Sequence, residues 1–157
     1  MKISFVSVFL SFVLVGACAV QPRVPSGQVD SAGAMGVGMH ITVTINGAHT
    51  FAATLAQNES ARAFAALLAD GAITLSLHGY GGFEQVGALP ARLPRNDTRI
   101  AAAPGDIMLY QGDQLVIFYG TNEWAYSRLG RIDGADRADL AAVLGTGDVT
   151  ATFALAD

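Results

Sequence analysis

Between Gly79 and Arg131 the chain gathers most of the side chains that could hold or transform a ligand. Its one Trp and all four Tyr lie there, beside two glycine-containing turns and several Arg. Tyr80, Phe83, Tyr110, Phe118, Tyr119, Trp124, Tyr126 and Arg128 have the makeup of a pocket with aromatic walls and a polar anchor. Such walls suit a proline ring or a small apolar ligand. The ligand-binding set read from this segment is Phe83, Tyr110, Phe118, Trp124, Tyr126 and Arg128. Arg128 is the one residue placed for catalysis, should there be any. An Arg hydrogen-bonded near a prolyl imide nitrogen weakens the amide resonance behind a barrier of about 18–20 kcal/mol. The same aromatics serve equally well to fill a β-barrel and close its rim. Strict alternation along residues 125–132 puts Tyr126 and Arg128 on one face and Leu129 and Arg131 on the other, so one Arg alone would look into a shared site.

The remaining reactive residues carry weaker signals. Glu84, Asp97, Asp106 and Glu123 are candidates for general acid–base chemistry, but their spacing implies no pairing, and solvated turn carboxylates are the favoured reading. Arg92, Arg95 and Arg99 share a polar loop with Asn96-Asp97. That loop reads as a surface turn rather than an anion site. His40, His49 and His78 lack metal-ligand spacing, so no metal is expected. Ser76 and Ser127 lack the nucleophile-elbow context. Gly79-Tyr80-Gly81-Gly82 is a turn, not a dinucleotide fingerprint, because Glu84 stands where the third glycine would fall and no helix follows. No cofactor is expected.

The elements that must position these residues are short. Ile41, Val43 and Ile45 alternate with Thr42 and Thr44 as in a half-buried strand, and Phe51, Ala53 and Leu55 form its partner. A three-residue loop at Asn46-Gly47 pairs Val43 with Phe51 and keeps the apolar faces together, so the pattern predicts a bulged hairpin. Asn58 to Ser60 can cap a helix over residues 61–68 that packs through Phe64, Leu67 and Leu68. Strands follow at 73–78 and 83–86, then a long loop over 88–105. Residues 106–110 and 114–119 form a hairpin across Gly112-Asp113, read as a two-residue type II′ turn. A strand over 125–132, a helix over 136–144 packed through Leu140, Val143 and Leu144, and a last strand over 149–155 complete the chain. The count predicts a mainly β fold: a closed eight-stranded antiparallel barrel with two short helices.

Ahead of this domain stands a segment of another kind. Lys2 precedes an apolar run, Ile3 to Val15, too short for the roughly 20 residues that span a bilayer. It ends in Val15-Gly16-Ala17-Cys18, which resembles the bacterial lipobox. The resemblance implies a signal peptide over 1–17 and lipidation of Cys18 by diacylglycerol with palmitate-type acyl chains. A flexible tether over 18–38 and a domain over 39–157 follow. Cys18 is the only cysteine, so no intramolecular disulfide can form. Ala19, in place of Asp, implies the outer membrane, with the domain facing the periplasm. Without Lys2 the chain has eight arginines against thirteen acids, a net charge of −5. That balance argues against nucleic acid as a partner.

Three blocks resemble the bacterial cyclophilin-like fold family: ITVTINGAHTFAATLAQNESARAFAALL, GYGGFEQVGALPARLPRND and APGDIMLYQGDQLVIFYGTNEWAYSRLGRI. The resemblance covers about residues 40–155 and implies an eight-stranded barrel with two helices. Peptidyl-prolyl isomerases of similar fold carry Phe-x-x-x-Met-x-x-Gln a few residues after a catalytic Arg. That run is missing here, and fold alone does not carry function. The expected function is a membrane-anchored periplasmic domain binding a peptide segment or small ligand in the aromatic/Arg pocket. A peptidyl-prolyl isomerase assisting exported proteins is the first alternative, and a non-catalytic structural or partner-docking lipoprotein the second.

Overall fold

A computed structural model describes residues 38–145 and 147–157. The signal peptide, Cys18 and all of the tether but Gly38 lie outside the described residues. The described residues form nine strands and two helices. They are β1 (His40–Ile45), β2 (His49–Leu55), α1 (Glu59–Ala69), β3 (Ile73–Tyr80), β4 (Glu84–Ala88), β5 (Thr98–Ala102), β6 (Asp106–Tyr110), β7 (Gln114–Phe118), β8 (Asn122–Ile132), α2 (Arg137–Leu144) and β9 (Val149–Leu155). Among the described residues no helix is long and apolar enough to cross a membrane.

Eight strands hydrogen-bond in a ring, in the order β2-β1-β9-β3-β4-β7-β6-β8, and β8 pairs again with β2. All the pairings are antiparallel. The fold is mainly β with two helices, as the alternation predicts. β5 is the ninth strand and a correction to the sequence reading, which left 88–105 as loop. It pairs only with the first half of β8, Thr98 opposite Tyr126 and Ala102 opposite Asn122. β8 accordingly begins at Asn122, three residues earlier than its pattern suggests.

Three hairpins share one turn design. Loops 46–48, 81–83 and 111–113 each place their first two residues at positive φ: Asn46 and Gly47, Gly81 and Gly82, Gln111 and Gly112. The backbone there is left-handed, which suits Gly and, less well, Asn. Each loop closes with an N–H donated back to the carbonyl three residues earlier, Ala48 to Ile45, Phe83 to Tyr80 and Asp113 to Tyr110. The first turn therefore pairs Val43 with Phe51, as expected. The third corrects the two-residue reading at Gly112-Asp113, because Tyr110 pairs with Gln114 across three residues.

One face of the ring strands builds the main core. Ile41, Val43, Leu77, Ile107, Leu109, Leu115, Ile117, Leu129 and Phe153 are buried together there with Phe64 and Leu68 of α1 and Leu140 and Leu144 of α2. Phe64 meets Phe153 edge-to-face at 5.6 Å. Asn58 caps α1 by accepting from the Ala61 N–H at 2.8 Å, and its own amide donates to the Arg128 carbonyl at 2.7 Å. Gln85 faces the same interior, and its Nε2 donates to the carbonyls of Leu144 and Gly147. The C-terminal end of α2 is thereby tied to β4.

The opposite face of β4, β6, β7 and β8 carries a second, smaller cluster: Met108, Val116, Phe118 and Tyr126, with Phe83, Val86, Ile100 and Tyr110 packed against it. β6 and β7 are thus buried on both faces. The candidate functional site lies on this second face.

Candidate functional site

Cross-strand register builds the site. Tyr80 pairs with Glu84, and Glu84 with Phe118. One row along, His78 pairs with Val86 and Val86 with Val116, while Gln114 pairs with Tyr110 in the next row. Residues directly opposite share a face, so these side chains stand together on the second face. The first half of β8 adds Asn122, Trp124 and Tyr126. Tyr126 meets Phe118 at 5.5 Å and Tyr110 at 6.0 Å, both edge-to-face.

These residues line a cavity of about 640 Å³. β3 contributes His78 and Tyr80, β4 Glu84 and Val86, β6 Tyr110, β7 Gln114 and Val116, and β8 Asn122, Trp124 and Tyr126. Tyr80 and Trp124 are 66% and 56% exposed, the two most exposed large apolar side chains described. The Tyr126 hydroxyl accepts from Asn122 Nδ2 at 2.9 Å. At one end Phe83 packs edge-to-face on Tyr80, and its carbonyl accepts the N–H groups of Tyr119 and Gly120. A Cβ on Gly120 would fall 2.5 Å from Phe83 Cβ, so only Gly lets these two loops meet.

Of the expected ligand-binding set, the cavity is lined by Tyr110, Trp124 and Tyr126. Phe118 is fully buried beneath Tyr126, and Phe83 packs at the edge against Tyr80. Arg128 stands apart from the cavity. Its Nη1 donates to Asp106 Oδ1 at 2.7 Å, and Arg131 Nη1 donates to the same oxygen at 2.9 Å. Both guanidinium groups therefore lie on one side of β8, against the expectation from strict alternation. The cause is a register shift. Met108 pairs with Arg128 but Ile107 with Gly130, so Leu129 is an extra residue turned into the main core. A bulge re-aims every side chain beyond it. Asp106 itself is 1% exposed, and its other oxygen accepts the Ala103 N–H.

Of the carboxylates read as solvated turn residues, Glu123 is solvated but stands in β8, where it pairs with Arg99 at the surface, and the reading fails for the three others. Asp106 is buried as described. Asp97 accepts from Ser127 and pairs with Arg95. Burial pushes its carboxyl upward, but these hydrogen bonds outweigh that and hold it below the usual range. Its neighbour Asn96 receives the Ser60 hydroxyl at 2.5 Å, so the loop is pinned to α1 as well as to β8.

Glu84 is the third, and it is the residue that sequence reasoning undervalued. It is 6% exposed, and its Oε2 is buried with no hydrogen-bond partner. Desolvation pushes its carboxyl up from 4.5 to about 7. Tyr126 is raised above its ordinary value by burial and secondarily by the Glu84 charge, so the two groups sense each other. A signal was available in the sequence. Glu84 alternates with Val86 and Ala88, and period two puts a carboxyl on the face those apolar residues share. Among the described residues, no cluster of His, Cys, Asp or Glu could hold a metal ion.

Known proteins place the chain. No curated protein matches it. Its fold is similar to the solution structure of a hypothetical protein from Archaeoglobus fulgidus, with a TM-score of 0.58 over 79% of this chain and 99% of that one, at 15% identity. The model of the Cyclophilin-like family matches residues 43–154, from the middle of β1 almost to the end of β9. On that span, which includes the eight-membered ring and the whole cavity, the chain belongs to the Cyclophilin-like family.

Proposed function

We propose that this protein is a lipid-anchored, periplasm-facing binding protein that holds a peptide segment or small ligand in the aromatic cavity between β3 and β8. The cavity's size and walls carry the reading. About 640 Å³ falls within the roughly 300–1,000 Å³ of small-molecule sites. Exposed Tyr80 and Trp124 at such a cavity mean apolar surface left to water, which a ligand would cover. An inert structural lipoprotein would have no reason to keep the space open.

Peptidyl-prolyl isomerisation has less support. The Arg that such chemistry sets against the imide nitrogen has no counterpart among the lining residues, and Arg128 is engaged by Asp106. In a protease-coupled assay with a proline peptide, micromolar protein should leave the isomerisation rate at the buffer value. A clear acceleration would favour the isomerase. The binding reading itself is tested by ¹⁵N-resolved NMR with apolar and aromatic fragments. Shifts should concentrate at Tyr80, Tyr110, Trp124 and Tyr126, and shifts scattered over the surface would count against it.

Anchoring rests on the lipobox alone. Cys18→Ser should move the protein from the membrane fraction to the soluble fraction. Continued sedimentation with membranes would mean that lipid on Cys18 is not the anchor.

A further inference from the structure

Glu84 is set apart from the other buried or half-buried acids by its lack of a counter-ion. Asp97 is held by Arg95, Asp106 by Arg128 and Arg131, and Asp113 by Arg92. Glu84 borders the cavity with one oxygen buried and unpartnered. Isolated burial of an ionised carboxyl costs free energy that a partner recovers. The missing partner cannot be a lining Arg or Lys, because none of the described lining residues is either.

The walls indicate which kind of partner fits. Tyr80, Tyr110, Trp124 and Tyr126 surround the space that Glu84 borders. Aromatic rings attract a cation within about 6 Å of their centres, and the attraction grows as water is excluded. A buried carboxylate in one lining with four aromatic rings favours a positively charged group with an apolar stem. A carbonyl acceptor would use the protonated acid but gain nothing from the rings' electrostatics.

Resting on the binding function proposed above, we infer that the cavity recognises a protonated amine carried on an apolar or aromatic body, with the ammonium at Glu84 and the body against the rings. The amine can belong to a small molecule or to a lysine side chain in a peptide, and the chemistry at Glu84 is the same. Glu84 must be ionised for this. Its carboxyl is pushed up to about 7, so the competent fraction grows roughly tenfold between pH 6 and pH 8. The other titratable groups lining the cavity are His78 and Tyr80 of β3, Tyr110 of β6 and Tyr126 of β8. His78 is already paired with Asp148 at 2.9 Å.

The test uses Trp124, the sole tryptophan, as the reporter in the full chain. Four probes are titrated. Phenethylamine and its neutral isostere 2-phenylethanol form one pair. The tripeptide acetyl-Ala-Lys-Ala-amide and its Nε-acetyl-lysine form make the other. At pH 8 one amine at least should bind on the order of tenfold more tightly than its neutral counterpart, and the pair that shows it identifies the source. That preference should weaken roughly tenfold at pH 6 and vanish in Glu84→Gln, an isosteric change whose fold is checked by circular dichroism. Equal binding within both pairs, or an amine preference that survives Glu84→Gln, would overturn the inference while leaving the cavity a binding site. No saturable change with any of the four probes would overturn both.

Discussion

Replacing Arg128 and Arg131 together by Gln should destabilise the domain by about 3–5 kcal/mol, because Asp106 is then buried without a cation. Asp106 is 1% exposed and keeps only the Ala103 N–H as a donor in that variant. Each single replacement should cost far less, about 1 kcal/mol, since the second guanidinium still reaches the same oxygen. The two changes are therefore strongly non-additive, as residues sharing one partner are. Gln retains most of the aliphatic stem, so lost packing contributes little. Urea denaturation followed at Trp124 measures all three variants. Additive losses would mean that the two Arg do not substitute for each other at Asp106.

Glu84→Gln is expected to have the opposite sign above neutrality. Below pH 4.5 the folded and unfolded chains both carry a protonated Glu84, and its ionisation contributes no penalty. From 4.5 to about 7 the unfolded chain loses this proton while the folded chain keeps it, so stability falls as pH rises. Above pH 7 the folded state holds the desolvated charge and the penalty is complete, about 3 kcal/mol for that interval. Gln has no charge to bury, though its amide still needs partners. The stability difference between variant and wild type should therefore move in the variant's favour by about 3 kcal/mol between pH 4 and pH 8. Urea midpoints at several pH values read this directly. Parallel pH profiles for the two proteins would mean that Glu84 ionises normally. The same substitution that removes amine recognition should thus stabilise the empty fold, a trade expected of a functional acid.

Much of the fold was legible because alternation and turn chemistry are local. The Val43–Phe51 pairing followed from keeping two apolar faces together, and Asn46-Gly47 supplies the left-handed residues that such a loop needs. Asn58 announced its helix as a cap and accepts the N–H three residues on, whereas Asp136, read as the first residue of the second helix, is its cap. β5 was hidden because Thr98 to Ala102 has one large apolar side chain, Ile100, and pairs on one edge only. Its strand character comes from the extension of β8, a partner at least twenty residues away. The bulge at Leu129 was equally hidden. Its consequence, two Arg on one carboxylate, depends on which residue of β6 faces which residue of β8.

The site was legible in composition but not in chemistry. The aromatic set was visible, and Tyr110, Trp124 and Tyr126 do share a cavity. The cavity's polar group was expected to be Arg128. Ion pairing to Asp106 draws that guanidinium away, and an acid from β4 takes its place in the lining. Burial of Glu84 follows from its cross-strand neighbours Tyr80 and Phe118, which come from different hairpins. No window of sequence around Glu84 contains that information beyond the period-two match with Val86.

One carboxyl, held in an aromatic cavity without a partner, is the centre of the proposed recognition. The chain has three glutamates, Glu59, Glu84 and Glu123, so a ¹³C carboxyl titration by NMR with Glu84→Gln as the assignment control isolates its signal. The Glu84 midpoint should fall near 7 in the free protein. A midpoint near 4.5, the ordinary carboxyl value, would mean that Glu84 is solvated or partnered in the free protein and that the proposed recognition is wrong.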